Sequence, residues 1–315
     1  MPDQEITGAF LYNVWKRTGK SKREVGEMFG LTYGQCAGRI WRYEQQLGGA
    51  PEEKPGLFNV VVGAPLELEG DFVVLSDIHA PTTDLDMARL VVPTAQRYGV
   101  RQLIIAGDLL NVDWLSAYPV LVPHPSGTDE IEAAAYLLEE WLRYFDRIVI
   151  APGNHEDRFL KLNAGSLRIR SLVRLLTSSD KVGVTDFDHV FVHTPNGRWM
   201  VTHGKNYSVN QLVVADQLAQ KFQSHVIMGH QHHLAIGWDR WKRYIVVDNG
   251  GLFDVSKLAY VQMRASKSAG MMTGFSILRG GYPHLFGPPP FTDWATVLPD
   301  AAAAPHPCPL RRFGE

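Results

Sequence analysis

The sequence predicts a layered α/β domain preceded by a small all-α domain. Three observations point there. Apolar stripes at helical spacing fill the first 47 residues, a Pro/Gly-rich break follows, and from about Leu57 short apolar runs alternate with helical stretches. A chain of 315 residues with 45% hydrophobic content has material for about two domains and a sizeable core. Charge is nearly balanced, 31 basic against 33 acidic residues, so any attraction to nucleic acid or membrane has to be local. The organisation expected is a helical domain over 1–47, a linker over 48–56, the main domain over 57–286 and a Pro/Ala-rich tail over 287–315.

Three short helices account for the first domain. Ile6, Phe10 and Val14 form the stripe of the first. Ser21 and Glu24 have capping-box spacing for the second, whose buried face is Val25, Met28 and Phe29. Thr32 and Gln35 repeat that signature for a third, with Cys36, Ile40, Tyr43 and Leu47 inward and Gln35, Arg39, Arg42 and Gln46 on the opposite stripe. The stretch REVGEMFGLTYGQCAGRIWRYEQ resembles a DNA-binding helix-turn-helix, in which Gln35, Arg39 and Arg42 are placed to read bases while Lys20, Lys22 and Arg23 hold phosphates. A trihelical packing module with solvated arginines is the alternative.

In the main domain, Phe72–Leu75, Leu103–Ala106 and Ile148–Ala151 are apolar at consecutive positions, the pattern of strands covered on both faces. Helices are expected near 84–98, kinked or shortened at Pro93, and near 129–145. Later strands are expected at Val190–His193, Trp199–Thr202, Val226–Met228 and Tyr244–Val247. Trp238 and Trp241 are expected to cover the sheet, with base stacking as the alternative.

What ends these strands carries the chemistry. SDIHA places Asp77 and His79 after the first, AGDLLN places Asp108 after the second, and APGNHED places Asn154 and His155 in a loop after the third. VTHGK adds His203, and MGHQHH adds His230 and His232. Asp77, His79, Asp108, Asn154, His203, His230 and His232 are oxygen and nitrogen donors without a thiolate, a mixture suited to Mn²⁺, Fe, Co²⁺ or Zn²⁺ more than to Mg²⁺. The spacing in D-x-H and H-x-H lets two side chains of an extended segment point the same way. His225 and His233, beside the last block, are read as structural.

These five blocks, in order between Asp77 and His232, resemble the calcineurin-like metallophosphoesterase superfamily over about residues 60–280. The resemblance implies two packed sheets flanked by helices, with two divalent ions at strand C-terminal ends: Mn²⁺ first, with Fe, Co, Zn or Ni as alternatives. It further implies Asp77, His79 and His232 on one ion, Asn154, His203 and His230 on the other, Asp108 bridging them, and His155 as general acid. Where protein-dephosphorylating relatives read G-D-x-x-D-R-G, this chain has Asn111, with Asp113 two positions on, so either the orienting carboxylate comes from Asp113 or His155 is less activated. Arg158, Trp114 and Asn111 are candidate substrate contacts within or after the 111–128 loop, which also contains Tyr118 and His124.

The expected function is a phosphodiesterase on nucleic acid, DNA first, positioned by the helical domain. The alternatives are a small-molecule phosphoesterase that uses that domain for oligomerisation, and a non-catalytic DNA-binding protein. Two distant cysteines, Cys36 and Cys308, and the lack of an apolar run near membrane length fit a cytoplasmic protein with no membrane partner.

Overall fold

The computed structural model of the chain describes residues 6–46, 63–115, 125–162, 168–258 and 270–299. Two compact units separate, Met1–Gly63 and Ala64–Glu315. The linker read at 48–56 lies outside the described residues, as do Leu47, Tyr118 and His124.

Caps set the ends of the first unit's helices. Helix α1 (Gly8–Thr18) starts at Thr7, whose hydroxyl accepts from the Phe10 N–H. Helix α2 (Lys22–Met28) starts with the full reciprocal box of Ser21 and Glu24. Helix α3 (Tyr33–Gln46) starts where the Gln35 carbonyl oxygen accepts from the Thr32 N–H at 2.9 Å and Thr32 Oγ1 accepts from the Gln35 N–H at 3.3 Å. Leu11, Val25, Cys36 and Ile40 are fully buried between the three helices. Phe10 and Met28, expected inside, are 48% and 53% exposed. Leu11 is the buried centre of α1, with Ile6, Val14 and Trp15 packed around it, while Phe10 meets the edge of Phe29.

The second unit consists of two six-stranded sheets with helices on their outer faces. In chain order its strands are β1 (Glu67–Glu69), β2 (Phe72–Leu75), β3 (Gln102–Ala106), β4 (Arg147–Ala151), β5 (Val182–Val184), β6 (His189–Thr194), β7 (Gly197–Thr202), β8 (His225–Met228), β9 (Leu234–Trp238), β10 (Ile245–Asn249), β11 (Phe275–Arg279) and β12 (Tyr282–Phe286). Its helices are α4 (Leu85–Tyr98), α5 (Gly127–Leu142), α6 (Asn154–Leu162), α7 (Ile169–Leu176), α8 (Val213–Phe222) and α9 (Trp294–Val297). One sheet runs β12-β11-β2-β3-β4-β5 and the other β1-β6-β7-β8-β10-β9.

Why β2, β3 and β4 are apolar at successive positions is visible in the packing. Val74, Ile104 and Val149 face the second sheet, where they meet Val190, Trp199, Val201, Ile227 and Val247. Their neighbours Val73, Leu75, Leu103, Ile105, Ile148 and Ile150 face α4, α5 and α7. Helix α4 continues through Pro93 to Tyr98 and is not shortened. Trp238 and Trp241 do not cover the sheet, being 60% and 64% exposed; β9 is an edge strand, and Trp241 sits in the turn beyond it. Within the segment read as tail, Trp294 packs against Phe275 and Phe286 and donates to the Gly287 carbonyl at 3.0 Å.

Candidate metal centre

Five loops bring the predicted donors together. Strands β2, β3 and β4 run parallel, so the segments carrying Asp77 and His79, Asp108, and Asn154 and His155 leave the first sheet at one end. Strands β7 and β8 are also parallel, and His203, His230 and His232 leave the second sheet at their ends. Asp77, His79 and His232 form one group whose ligand atoms lie within 4.8 Å of one another; His79, Asp108 and His155 form a second; Asp108, His203 and His230 form a third. Asp108 therefore links two groups. Asn154 Oδ1 joins at 3.0 Å from His203 Nε2.

The backbone is held in unusual conformations to do this. Nine described non-glycine residues have positive φ, and five of them are Asp77, His79, Asp108, His230 and His232. Such conformations cost free energy and persist only where surroundings enforce them. Main-chain bonds supply part of that enforcement: Ile78 and His79 donate to the Asp108 carbonyl at 2.8 and 3.0 Å, and His230 N–H donates to the Asp77 carboxylate. Gly153 is needed for close approach, since a Cβ there would collide with the Asp108 carboxylate and lie 2.6 Å from its main-chain nitrogen. The GNHED segment is not a loop as expected; Asn154 opens α6 directly after Gly153, with His155 and Glu156 in its first turn.

Glu156 was missed by the reading of donors, although its place directly after Gly-Asn-His was a signal. It is buried and accepts three main-chain N–H groups, from Asp108 at 2.9 Å, Leu110 at 3.0 Å and Gly153 at 2.8 Å. One carboxylate thus staples the loop after β3 to the loop after β4.

The donor set suits a divalent transition ion. Both ring nitrogens of buried His79, and Nδ1 of His232, have no hydrogen-bond partner among the described residues, a state buried polar atoms rarely keep. His203 Nδ1 faces the Ala106 carbonyl at 3.0 Å, which fixes the tautomer and turns Nε2 toward Asp108 Oδ2 at 3.2 Å. Burial alone would raise Asp77, but the imidazoles of His232 and His203 outweigh it and hold the carboxyl at about 2. Asp108 is likewise held well below the usual range, with burial outweighed by His155 and His203. Burial, with His155 beside it, brings His79 down to about 3; His203 goes up to about 10 because Asp108 and Asp77 overcome its burial. A cluster of ionised carboxylates among imidazoles is the electrostatic setting a divalent cation neutralises.

His155 stands against this cluster, its Nε2 3.7 Å from Asp108 Oδ2 and its N–H donating to Asp108 Oδ1 at 2.9 Å. Its Nδ1 is held in a short hydrogen bond by the Asn111 main-chain carbonyl, not by a carboxylate. The Asn111 side chain instead donates to Asp113 at 2.8 Å, and Asp113 also pairs with Arg158 at 3.3 Å. Nη1 and Nη2 of Arg158 lie 3.3 Å from the two ring nitrogens of His155. Trp114 lies apart from them, with its indole against Gly127.

In the helical unit most candidate nucleic-acid contacts are engaged internally. Arg39 donates to the Ile6 carbonyl at 2.7 Å, Gln35 caps α3, Arg23 pairs with Glu27 at 3.2 Å, and Lys22 sits over the Trp15 ring and 3.6 Å from Glu44. Lys20 and Arg42 are exposed, as are Gln35 and the surface pair of Arg23 with Glu27. No helix of the described residues is long and apolar enough to cross a membrane.

A family model described as calcineurin-like phosphoesterase matches residues 70–252. No curated protein matches the chain. Among solved structures, a predicted phosphoesterase from Streptococcus pneumoniae is 12% identical with a TM-score of 0.31, covering 70% of this chain and 98% of its own. Chaetomium thermophilum Vps29 is 12% identical with a TM-score of 0.34, over 66% and 83%. A cold-active protein-tyrosine phosphatase of a Shewanella species is 12% identical with a TM-score of 0.33, over 75% and 88%.

Proposed function

Because the chain belongs to the calcineurin-like phosphoesterase family, we propose that it is a two-metal phosphodiesterase whose substrate is nucleic acid, DNA first. One observation supports this best: donors from five loops of two sheets meet in one place, with buried imidazole nitrogens that have no partner among the described residues. In this reading Asp77, His79 and His232 hold one ion, Asn154, His203 and His230 the other, and Asp108 both, with Mn²⁺ as the ion this oxygen and nitrogen set suits. Bound there, divalent ions supply Lewis acidity, activating water and polarising a phosphoryl oxygen.

The chain's own residues do the rest. His155, held at Nδ1 by the Asn111 carbonyl, presents Nε2 and in its protonated form gives a proton to the leaving oxygen. Arg158, stacked beside it and anchored by Asp113, offers its guanidinium to a phosphate oxygen. Asn111 acts through its main chain in this site.

For the helical unit, exposed Lys20 and Arg42 support delivery of a phosphate backbone. A second reading has a specific observation behind it. Phe10, Met28, Tyr33 and Trp41 are exposed on the same small unit while Arg39 is turned inward, which suits oligomerisation and a small-molecule diester. Hydrolysis of bis(p-nitrophenyl) phosphate and of single- and double-stranded DNA, with Mn²⁺, separates the two. DNA cleavage by the wild type that is lost on Lys20→Ala with Arg42→Ala, while the small diester is still cut, is the expected result. Cleavage of the small diester alone by both proteins rejects the nucleic-acid substrate.

A further inference from the structure

We propose that Glu130 is a positioning residue for His155, acting through the peptide group that joins Asn111 to Val112. The inference rests on the reading of His155 as proton donor. Glu130 lies on α5, outside every block of donors, and is 1% exposed. Its Oε2 accepts the Val112 N–H at 2.6 Å. The carbonyl of that same peptide group is Asn111 C=O, the partner of His155 Nδ1.

A trans peptide is planar, with its C=O and N–H pointing in opposite directions. Fixing the N–H from one side therefore aims the carbonyl on the other. The result is a continuous chain of hydrogen bonds from the Glu130 carboxylate through one peptide group to the imidazole. Each bond in such a chain polarises the next, so a charged Glu130 also makes the carbonyl a better acceptor for the His155 Nδ1–H.

The local backbone shows why an anchor is needed. Val112 has φ of +50, a conformation a β-branched residue adopts only when held. The other main-chain tie on the Asn111 side, its N–H to the Ala80 carbonyl, is long at 3.3 Å. Glu130 itself sits among Leu110, Trp114, Ile131, Phe159 and Leu172 around a small cavity, with the Trp114 side chain and the Asp113 N–H as further donors to its carboxyl. A carboxylate in so apolar a place is costly. Burial pushes its carboxyl up to about 7 against the pull of the Val112 N–H, and nearby Asp113 adds to the rise.

The test compares Glu130→Leu, which removes the acceptor, and Glu130→Asp, which withdraws it from Val112, each in wild-type and His155→Ala backgrounds with Mn²⁺. Two substrates are used: bis(p-nitrophenyl) phosphate, whose leaving group departs without a proton, and diphenyl phosphate, whose more basic leaving group needs one. The expected result is a loss of about ten-fold in kcat on diphenyl phosphate, a much smaller loss on the nitrophenyl ester, and no further loss in the His155→Ala background. Without metal, the downfield, slowly exchanging Nδ1–H resonance of His155 in the wild type should weaken or vanish in either Glu130 variant. Equal losses on both substrates, additivity with His155→Ala, or an unchanged resonance overturns the proposal. If His155→Ala itself costs nothing on diphenyl phosphate, the proton-donor reading has failed, while the resonance still reports whether Glu130 holds the imidazole. Should the leucine variant not fold, the aspartate variant carries the same comparison.

Discussion

Asp108 is the carboxylate that joins the donor group of His203 and His230 to that of His79 and His155. Asp108→Ala should therefore remove both the link between ions and most of the hydrolysis, by about 10³-fold or more in kcat, an effect of the size seen when transition-state charge stabilisation is lost. Metal analysis of the purified variant should show fewer bound ions than the wild type; full occupancy with retained turnover would sink the two-ion assignment. Glu130 makes a separate prediction about stability. Its folded pKa, about 7, lies above the value of a solvated glutamate, so its favourable contribution is complete below about pH 4.5 and is lost as the pH rises through 7. At pH 8 the cost amounts to roughly 3 kcal/mol. Glu130→Gln removes the charge, so urea unfolding at several pH values should show the variant gaining on the wild type between pH 5 and 8. A difference that does not change with pH would mean the carboxylate is not buried in its charged form.

At the level of elements, the strands covered on both faces were the most legible. Phe72–Leu75 was read directly, because neither face of β2 needs a polar residue to meet water. The three-residue edge strands β1 and β5 carry no such run and escaped notice. The donors were legible by type and order, but the left-handed backbone that aims them was not, since nothing in an aspartate or histidine announces positive φ. Asn111 shows the limit most clearly: its side chain drew attention, whereas its carbonyl meets His155, and a carbonyl is common to every residue. Gln35 was legible as a cap from its spacing to Thr32, whereas Arg39 was read as a base contact, because an inward guanidinium uses the same atoms that would read a base. The Ser21 box, by contrast, was plain, and it has a measurable weight. Ser21→Ala should cost about 1 kcal/mol, seen as roughly five-fold faster amide exchange in α2. No change there would mean that packing around Val25 alone holds the helix.

For the whole molecule, binding of ions to the folded donor set but not to the unfolded chain has to appear as stability. Mn²⁺ at about a hundred times its dissociation constant should raise the unfolding free energy by roughly 2.7 kcal/mol, and EDTA should reverse the gain. An unfolding midpoint indifferent to Mn²⁺ would remove the basis for the metal centre. The donors come from both sheets, Asp77, His79, Asp108 and Asn154 from one and His203, His230 and His232 from the other, and all at one end of the sandwich. Ions bound there would act mechanically as a rivet through two leaves at a single corner. Sliding one leaf across the other would then have to break coordination first, while at the far end the leaves are tied by packing and by hydrogen bonds from Gln102 to the Glu69 carbonyl and from Asn196 to the Gly280 carbonyl. A chain pulled between its two sheets should yield at markedly higher force when loaded with metal, and begin to open from the corner opposite the rivet.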